Sequence, residues 1–249
     1  MPEGPEVKCR AKFLENEILG WTLINVVVDE RSKYKRGIIP LREKVEKILT
    51  RGKVTYIVLE TKCIRVHYGM EGNFIKIKGT HSNIELNLMV SSGKEKSLWF
   101  HDTRHFGHFE IIDDWELDMK KIGPDVFSIE RDEFISQLKR FPKKEICGLL
   151  LDQKVVSGIG NYLRAEILFF AGVFPGRLVG DLSDDTLGVI FDKTKSVCER
   201  SYLAGGCSLK SYFTDGKKGD FELTIYGKGT KGKFKDGRTM FYDPVTQTL

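Results

Sequence analysis

The chain opens Met-Pro-Glu-Gly-Pro-Glu-Val, setting an imino acid and two carboxylates side by side at its end. A small second residue such as proline permits removal of Met1, which would leave Pro2 as a secondary-amine terminus. An α-amino group titrates near ~8, against ~10.4 for a lysine side chain, so more of it is neutral and nucleophilic at physiological pH. Attack of that amine on a sugar C1′ gives a cationic iminium without a further protonation. The iminium withdraws electrons, acidifies the C2′ hydrogen and allows the 3′ phosphate to be eliminated, which is covalent catalysis without a lysine side chain. Glu3 is placed to shuttle protons. Many chains begin Met-Pro with no catalytic use for it, and the heptad alone favours that plainer reading.

Other motifs carry weaker chemistry. Gly227, Gly229 and Gly232 satisfy GxGxxG, and Gly232-Lys233 resembles the end of a phosphate-binding loop. Phe234 stands where that loop needs Ser or Thr, and a strand pattern follows where a helix is needed, which argues against nucleotide binding. His101, His105 and His108 sit close together without a clear carboxylate partner, a pattern more often structural or phosphate-binding than metal-ligating. In Val156-Ser-Gly-Ile-Gly-Asn161 two glycines separate two helical patterns, and Asn161 is suited to cap the second helix. The backbone N–H groups of such a turn suit phosphate, although an ordinary helical hairpin reads the same way. From Lys217 to Arg238 seven basic residues outnumber three acids, which suits either a polyanion partner or a solvated loop.

These residues need elements to hold them. A helical pattern covers 5–19, with Gly20 as its stop. From 22 to 112 short β-rich runs are separated by turn residues, the mark of a sandwich or barrel. After Trp115 helical periods take over, with Ser183 as a candidate N-cap and 208–213 as a candidate short helix. The end reads as a hairpin, ELTIYG and RTMFYD joined by a lysine- and glycine-rich turn. The fold class is therefore α+β. Hydrophobic residues make up 41% of the 249, enough for a globular core. No apolar run is long enough to span a membrane and no signal-peptide layout is present, so an intracellular protein is expected. Five scattered cysteines without a CxxC fit a reducing compartment and argue against a zinc cage.

Taken in order, MPEGPEV, Gly52-Lys53, HYGMEG (67–72), DTRHFG (102–107), LLDQKVVSGIGNYLRAEIL (150–168), SYLAGG (201–206) and GRTMFYDPVTQ (237–247) resemble the formamidopyrimidine-DNA glycosylase and endonuclease VIII family along the whole chain. The resemblance implies an N-terminal helix and β-sandwich domain (1–115), a linker (116–128), a helix–two-turn–helix domain (129–213), and a lesion loop with a finger hairpin (214–249). It implies a bifunctional base-excision enzyme with Pro2 as nucleophile, Glu3 as acid/base, and Glu6 and Lys53 as further catalytic residues. Lys53, His67, Asn161 and Arg238 would hold phosphates. Met70, Arg104 and Phe106 would fill the void left by an extruded base. The implied partner is damaged DNA, double-stranded or with a single-stranded or bubble region, bound by a monomer with no cofactor, no metal and no membrane.

Two departures refine the resemblance. The finger stretches lack the four cysteines that hold zinc in many members, which resembles the zincless-finger branch. Cys147 stands where bacterial formamidopyrimidine-type enzymes have lysine, and the NYLRAEIL run looks endonuclease VIII-like, leaning the substrate toward oxidised pyrimidines and formamidopyrimidines. SYFTDGKKGDF resembles a formamidopyrimidine-type lesion loop and keeps 8-oxoguanine open. A non-catalytic damaged-DNA binder of the same architecture, or an RNA-binding helical protein, are the opposing classes.

Overall fold

The computed structural model describes residues 1–30, 32, 34, 37–209, 213–214 and 217–248. Helix α1 (Gly4–Ile18) starts after only three residues. The Glu3 N–H donates to Glu6 Oε2 at 2.8 Å, and Pro5 sits in the first turn, where a missing N–H costs nothing. Val7, Ala11, Leu14 and Ile18 recur at helical spacing and are buried.

The β residues form one antiparallel array. Its strands are β1 (Thr22–Val28), β2 (Ile38–Arg51), β3 (Val54–Leu59), β4 (Cys63–His67), β5 (Asn73–Ile75), β6 (Ser82–Met89), β7 (Glu95–His101) and β8 (His108–Ile112). Their spatial order is β5-β7-β6-β1-β2-β3-β4-β8. Strand β2 is shared between two layers: its first half pairs with β1, and after an irregularity at Val45–Lys47 its second half pairs with β3. The layers close on one core, Val26, Leu86 and Phe100 from one side meeting Ile57, Ile64 and Val66 from the other, with Leu14 of α1 among them. This is the expected sandwich. Each fully buried Leu, Ile or Phe contributes about 1.5–3 kcal/mol.

A short helix α2 (Trp115–Lys120) lies where a linker is expected. Helices α3 (Arg131–Lys139), α4 (Ile146–Leu151), α5 (Asn161–Phe170) and α6 (Asp184–Leu203) enclose a second core that begins at Val126. Ser183 caps α6, its Oγ accepting from the Thr186 N–H at 3.2 Å.

Three expectations are corrected. The stretch ELTIYG is not a strand. The N–H groups of Thr224, Ile225 and Tyr226 all donate to the buried Glu166 carboxylate at 2.9 Å, so they cannot enter a ladder. The hairpin is instead β11 (Thr230–Lys233), the lysine- and glycine-rich stretch itself, against β12 (Thr239–Tyr242). The candidate helix over 208–213 fails at its described residues. Ser208 and Leu209 are irregular, and Phe213–Thr214 form strand β9 against β10 (Lys217–Lys218); the rest of that stretch lies outside the described residues. Gly160, rather than Asn161, is the N-cap of α5.

Candidate active site

The chain end meets the turn before α5. Gly4 N–H donates to Gly158 O at 2.8 Å. The Glu3 carboxylate, 2% exposed, accepts from the N–H groups of Gly160 (2.7 Å), Tyr162 (2.9 Å) and Leu163 (3.1 Å). A carboxylate from one domain thus satisfies the open N–H groups at the start of a helix in the other, the placement that the helix dipole favours. The turn must be glycine there, because a Cβ on Gly160 would lie 2.3 Å from the Glu3 carboxyl carbon. One turn deeper, Glu6 Oε1 accepts from Tyr162 Oη at 2.8 Å and from the Cys207 N–H at 2.9 Å.

Above this network a pocket of about 280 Å³ is lined by Met1, Lys53, His67, Gln153 and Arg238 among others. Lys53 follows Gly52 in the β2–β3 turn. Gly52 adopts φ +59°, donates to Asp125 Oδ2 at 2.6 Å and abuts Ser157, which pins the lysine against the glycine turn. Burial, then repulsion from Arg238, lowers the Lys53 ammonium from its ordinary range; Glu3 and Glu6 oppose the fall. Burial lowers the Met1 amino group as well. Burial and the neighbouring Glu6 push Glu3 up to about 7, against Lys53 and the N–H donors. Burial, then His108, Arg65 and Lys53, push His67 down to about 4. His67 is therefore neutral at pH 7; its Nδ1 accepts from the Gly69 N–H at 3.2 Å, which leaves Nε2 as the donor. The site holds a buried carboxyl that exchanges a proton near neutrality, an amine of lowered basicity and cationic donors facing one cleft. Pro2 is buried beneath Met1.

The pocket brings Lys53, His67 and Arg238 together around Met1; Pro2 and Glu3, the next two residues of the chain, are buried and do not line it, and Glu6 is buried in the first turn of α1. Asn161 stands beside the pocket at the first turn of α5, its Nδ2 donating to Thr239 O at 3.2 Å. Met70, Arg104 and Phe106 sit on two separate loops that touch. A Cβ on Gly69 would lie 2.3 Å from the Phe106 carbonyl carbon, so the loops lie back to back. The second loop is braced from within. Asp102 Oδ2 accepts from the Gly107 N–H (2.7 Å) and Tyr34 Oη (2.9 Å), and His105, at φ +53°, bonds Asn83 Oδ1 at 2.6 Å. Arg104 is paired with Glu71 at 3.1 Å, and Phe106 is 52% exposed. The histidines divide accordingly: His105 braces the loop, while the His108 ring lies 6.1 Å from that of His67. Among the described residues no three His, Cys, Asp or Glu side chains converge as metal ligands would.

Residue patterning misses Gln153, Arg164 and Glu166. Gln153 spans the glycine turn, accepting from the Gly158 N–H at 3.0 Å and donating to Ile159 O at 2.9 Å. Arg164 and Glu166 are wholly buried in α5. Their one visible signal is two charges inside an otherwise apolar NYLRAEILFF, which calls for buried partners.

Comparison with known proteins follows the same outline. The model of the formamidopyrimidine-DNA glycosylase N-terminal domain matches residues 1–109, and that of the formamidopyrimidine-DNA glycosylase H2TH domain matches 122–212. The formamidopyrimidine-DNA glycosylase of Sodalis glossinidius is 31% identical over 242 residues, 92% of this chain and 89% of that one. That of Yersinia enterocolitica is 32% identical over 242 residues with the same coverage, 92% and 89%. The crystal structure of the MutM (Fpg) protein of Thermus thermophilus superposes with a TM-score of 0.83 at 25% identity, over 99% of this chain and 98% of that one. A complex of Lactococcus lactis Fpg with DNA containing an abasic site has the same fold, with a TM-score of 0.84 at 24% identity over 99% and 100% of the two chains.

Proposed function

The chain belongs to the formamidopyrimidine-DNA glycosylase and endonuclease VIII family of DNA-repair glycosylases, and from that premise we propose that it excises oxidised bases and then nicks the strand through a Schiff base on Pro2. The activity is that of a DNA glycosylase in base excision repair. The finer reading rests on one observation: the chain end lies in a pocket with Lys53, His67 and Arg238, and next to it Glu3, pushed up to about 7, is held on the N–H groups of the other domain.

Once Met1 is removed, the Pro2 nitrogen becomes the terminal amine of that pocket. A base stacked in a duplex keeps its C1′ out of reach, so the damaged nucleotide must be swung out. Met70 and Phe106 enter the vacated stack, and Arg104 bonds the orphaned partner base. Arg238, Asn161, Lys53 and the neutral His67 hold the flanking phosphates. Pro2 attacks C1′ and the base leaves. Glu3 delivers and removes protons, a role suited to a group titrating near the working pH. The iminium drives β-elimination and then δ-elimination, leaving phosphate ends. Residues 1–115 carry the chemistry, 129–213 the grip on DNA, 214–249 the lesion loop and finger, and 116–128 join them. The relatives' name supports formamidopyrimidines as substrates. The local likeness of 150–168 adds oxidised pyrimidines, and 8-oxoguanine falls within the panel to be tested.

Borohydride trapping on lesion-bearing duplexes tests this reading. A covalent adduct with the processed wild type, absent with Pro2→Gly, is the expected result. A chain of verified mass lacking Met1 that gives no adduct would rule the chemistry out. One observation favours a second reading: while Met1 is attached it lines the pocket and buries Pro2, so an unprocessed chain would bind damaged DNA without cutting it.

A further inference from the structure

Arg164 is the one cation of α5, with a side chain 0% exposed. It bonds acceptors on three different elements. Nε and Nη2 both donate to Asn161 Oδ1, at 3.1 and 2.7 Å. Nη1 donates to Cys147 O at 3.2 Å and to Asp236 Oδ2 in the finger turn. A guanidinium has five donors and no acceptor. An Asn161 amide turned the other way would set its NH₂ against two N–H groups of a fully buried guanidinium, so the orientation is imposed. The Asn161 oxygen must face Arg164, and its Nδ2 must face away. One Nδ2 hydrogen goes to Thr239 O at 3.2 Å, and the other is presented outward, where an anion can accept it.

The same cation works on the finger. Asp236 Oδ1 accepts the Arg238 N–H at 3.0 Å and so shapes the turn carrying Arg238. Its other oxygen is committed to Arg164. Without that pairing, a carboxylate two residues away would draw the Arg238 guanidinium back onto itself and cancel its charge. Asn161 and Arg238 are fixed from below by one buried side chain.

We infer that Arg164 is a positioning residue that turns the Asn161 amide donor-outward and keeps Arg238 uncompensated, making the helix start and the finger turn a single anion-binding unit. The inference rests on the proposed phosphate role of those two residues. In a finger without zinc-binding cysteines it supplies a link between hairpin and helix that needs no metal.

The test is the affinity of the processed full chain for a duplex containing a tetrahydrofuran abasic analogue, by fluorescence anisotropy at fixed salt, with thermal melting alongside. Asn161→Asp keeps both Arg164 contacts but puts an oxygen where the outward donor stood. It should bind on the order of tenfold more weakly than wild type, and more weakly than Asn161→Ala, while melting no lower. Arg164→Lys cannot hold Asn161, Cys147 and Asp236 at once and should lose several-fold in affinity, a loss that vanishes in the Asn161→Ala, Arg238→Ala background. Asn161→Asp binding as well as Asn161→Ala, or an Arg164→Lys loss that persists undiminished in that background, would overturn the inference. If Arg164→Lys does not fold, Asp236→Asn takes its place in the same cycle. A wild type that shows no preference for the abasic analogue over undamaged duplex counts against the repair reading instead. The Asn161–Arg164 coupling is then still read, on undamaged duplex.

Discussion

Glu3 has two jobs that pull its proton in opposite directions. As the cap of α5 it accepts three N–H groups, which favour the carboxylate; as a group withdrawn from water it favours the acid, and burial wins, setting it near 7. The folded chain therefore binds a proton that the unfolded chain, with an ordinary carboxyl near 4.5, releases. Stability from this group is complete below about pH 4.5 and is lost as pH rises through 7, up to about 3 kcal/mol. Urea unfolding at pH 5 and pH 7.5 should show that loss in the wild type, and a flatter dependence in Glu3→Gln. An equal slope in both would remove Glu3 as the source. Glu3→Gln should also be less stable at the higher pH than simple charge removal suggests, since its NH₂ would face the Gly160 or Tyr162 N–H. At the neighbouring position, in the proposed chemistry, the ring of Pro2 supplies a secondary amine and a preset backbone once Met1 is removed. Pro2→Gly keeps a primary amine, whose imine needs an extra proton before it can withdraw electrons. Strand cleavage should fall by roughly tenfold to a hundredfold while duplex binding persists; undiminished single-turnover cleavage would refute the role.

At the scale of elements, the proposed function depends on packing at the finger and at the two loops proposed to fill the void. The hairpin β11–β12 has only four register pairs and rests on an aromatic group: Phe234 packs on Phe174 (5.9 Å) and Tyr242 (5.9 Å), and Phe174 on Tyr242 (5.6 Å). Gln247 closes the end, donating to Val173 O at 2.9 Å. Phe234→Ala should cost about 2 kcal/mol and speed hydrogen exchange in 230–242, whereas a chelator should leave exchange and activity unchanged and metal analysis should find well under one zinc per chain. For the loops, Gly69→Ala combines a positive φ with a Cβ driven into the Phe106 backbone. It should separate Met70 from Phe106 and weaken lesion binding about tenfold, with a smaller effect on undamaged duplex; equal effects on both would argue against a void-filling role. These elements also mark what the sequence makes legible. Helix α1, the sandwich and the Ser183 cap follow from local pattern and chemistry, so they are readable. The ELTIYG stretch alternates like a strand, yet its alternation reflects Leu223 and Ile225 entering a core while the intervening N–H groups bond a carboxylate 58 to 60 residues away. Asn161 has the residue type of a cap, but Glu3 takes the cap from 160 and 159 residues away. Spacing along the chain carries no sign of partners that distant, which is also why the roles of Arg164, bonded to Asp236, and of Glu166 stay hidden.

For the whole molecule the question is how a chain of net charge +5 selects a damaged site at all, since most of its attraction to DNA is indifferent to sequence and lesion. The two domains are locked where they meet: Glu3 on the N–H groups of α5, Gly4 on Gly158, Gly52 on Asp125. The cations of the cleft, Lys53 from the sandwich and Arg238 from the finger, are therefore held in place by the same contacts, and in the proposed reading they grip a backbone in one register. A grip of this kind adds affinity without discriminating; the proposal assigns discrimination to the loops of Met70 and Phe106 and to the cost of swinging out a well-paired base. The two contributions separate in a salt titration. Arg238→Ala should weaken binding by a similar factor on every lesion and on undamaged duplex, and should lower the slope of log affinity against log salt by about 1. Phe106→Ala should leave that slope untouched and reduce the preference for the lesion. If Arg238→Ala instead changed affinity for one lesion alone at constant slope, Arg238 would be reading the base, and the division between gripping cations and probing loops would have to be redrawn.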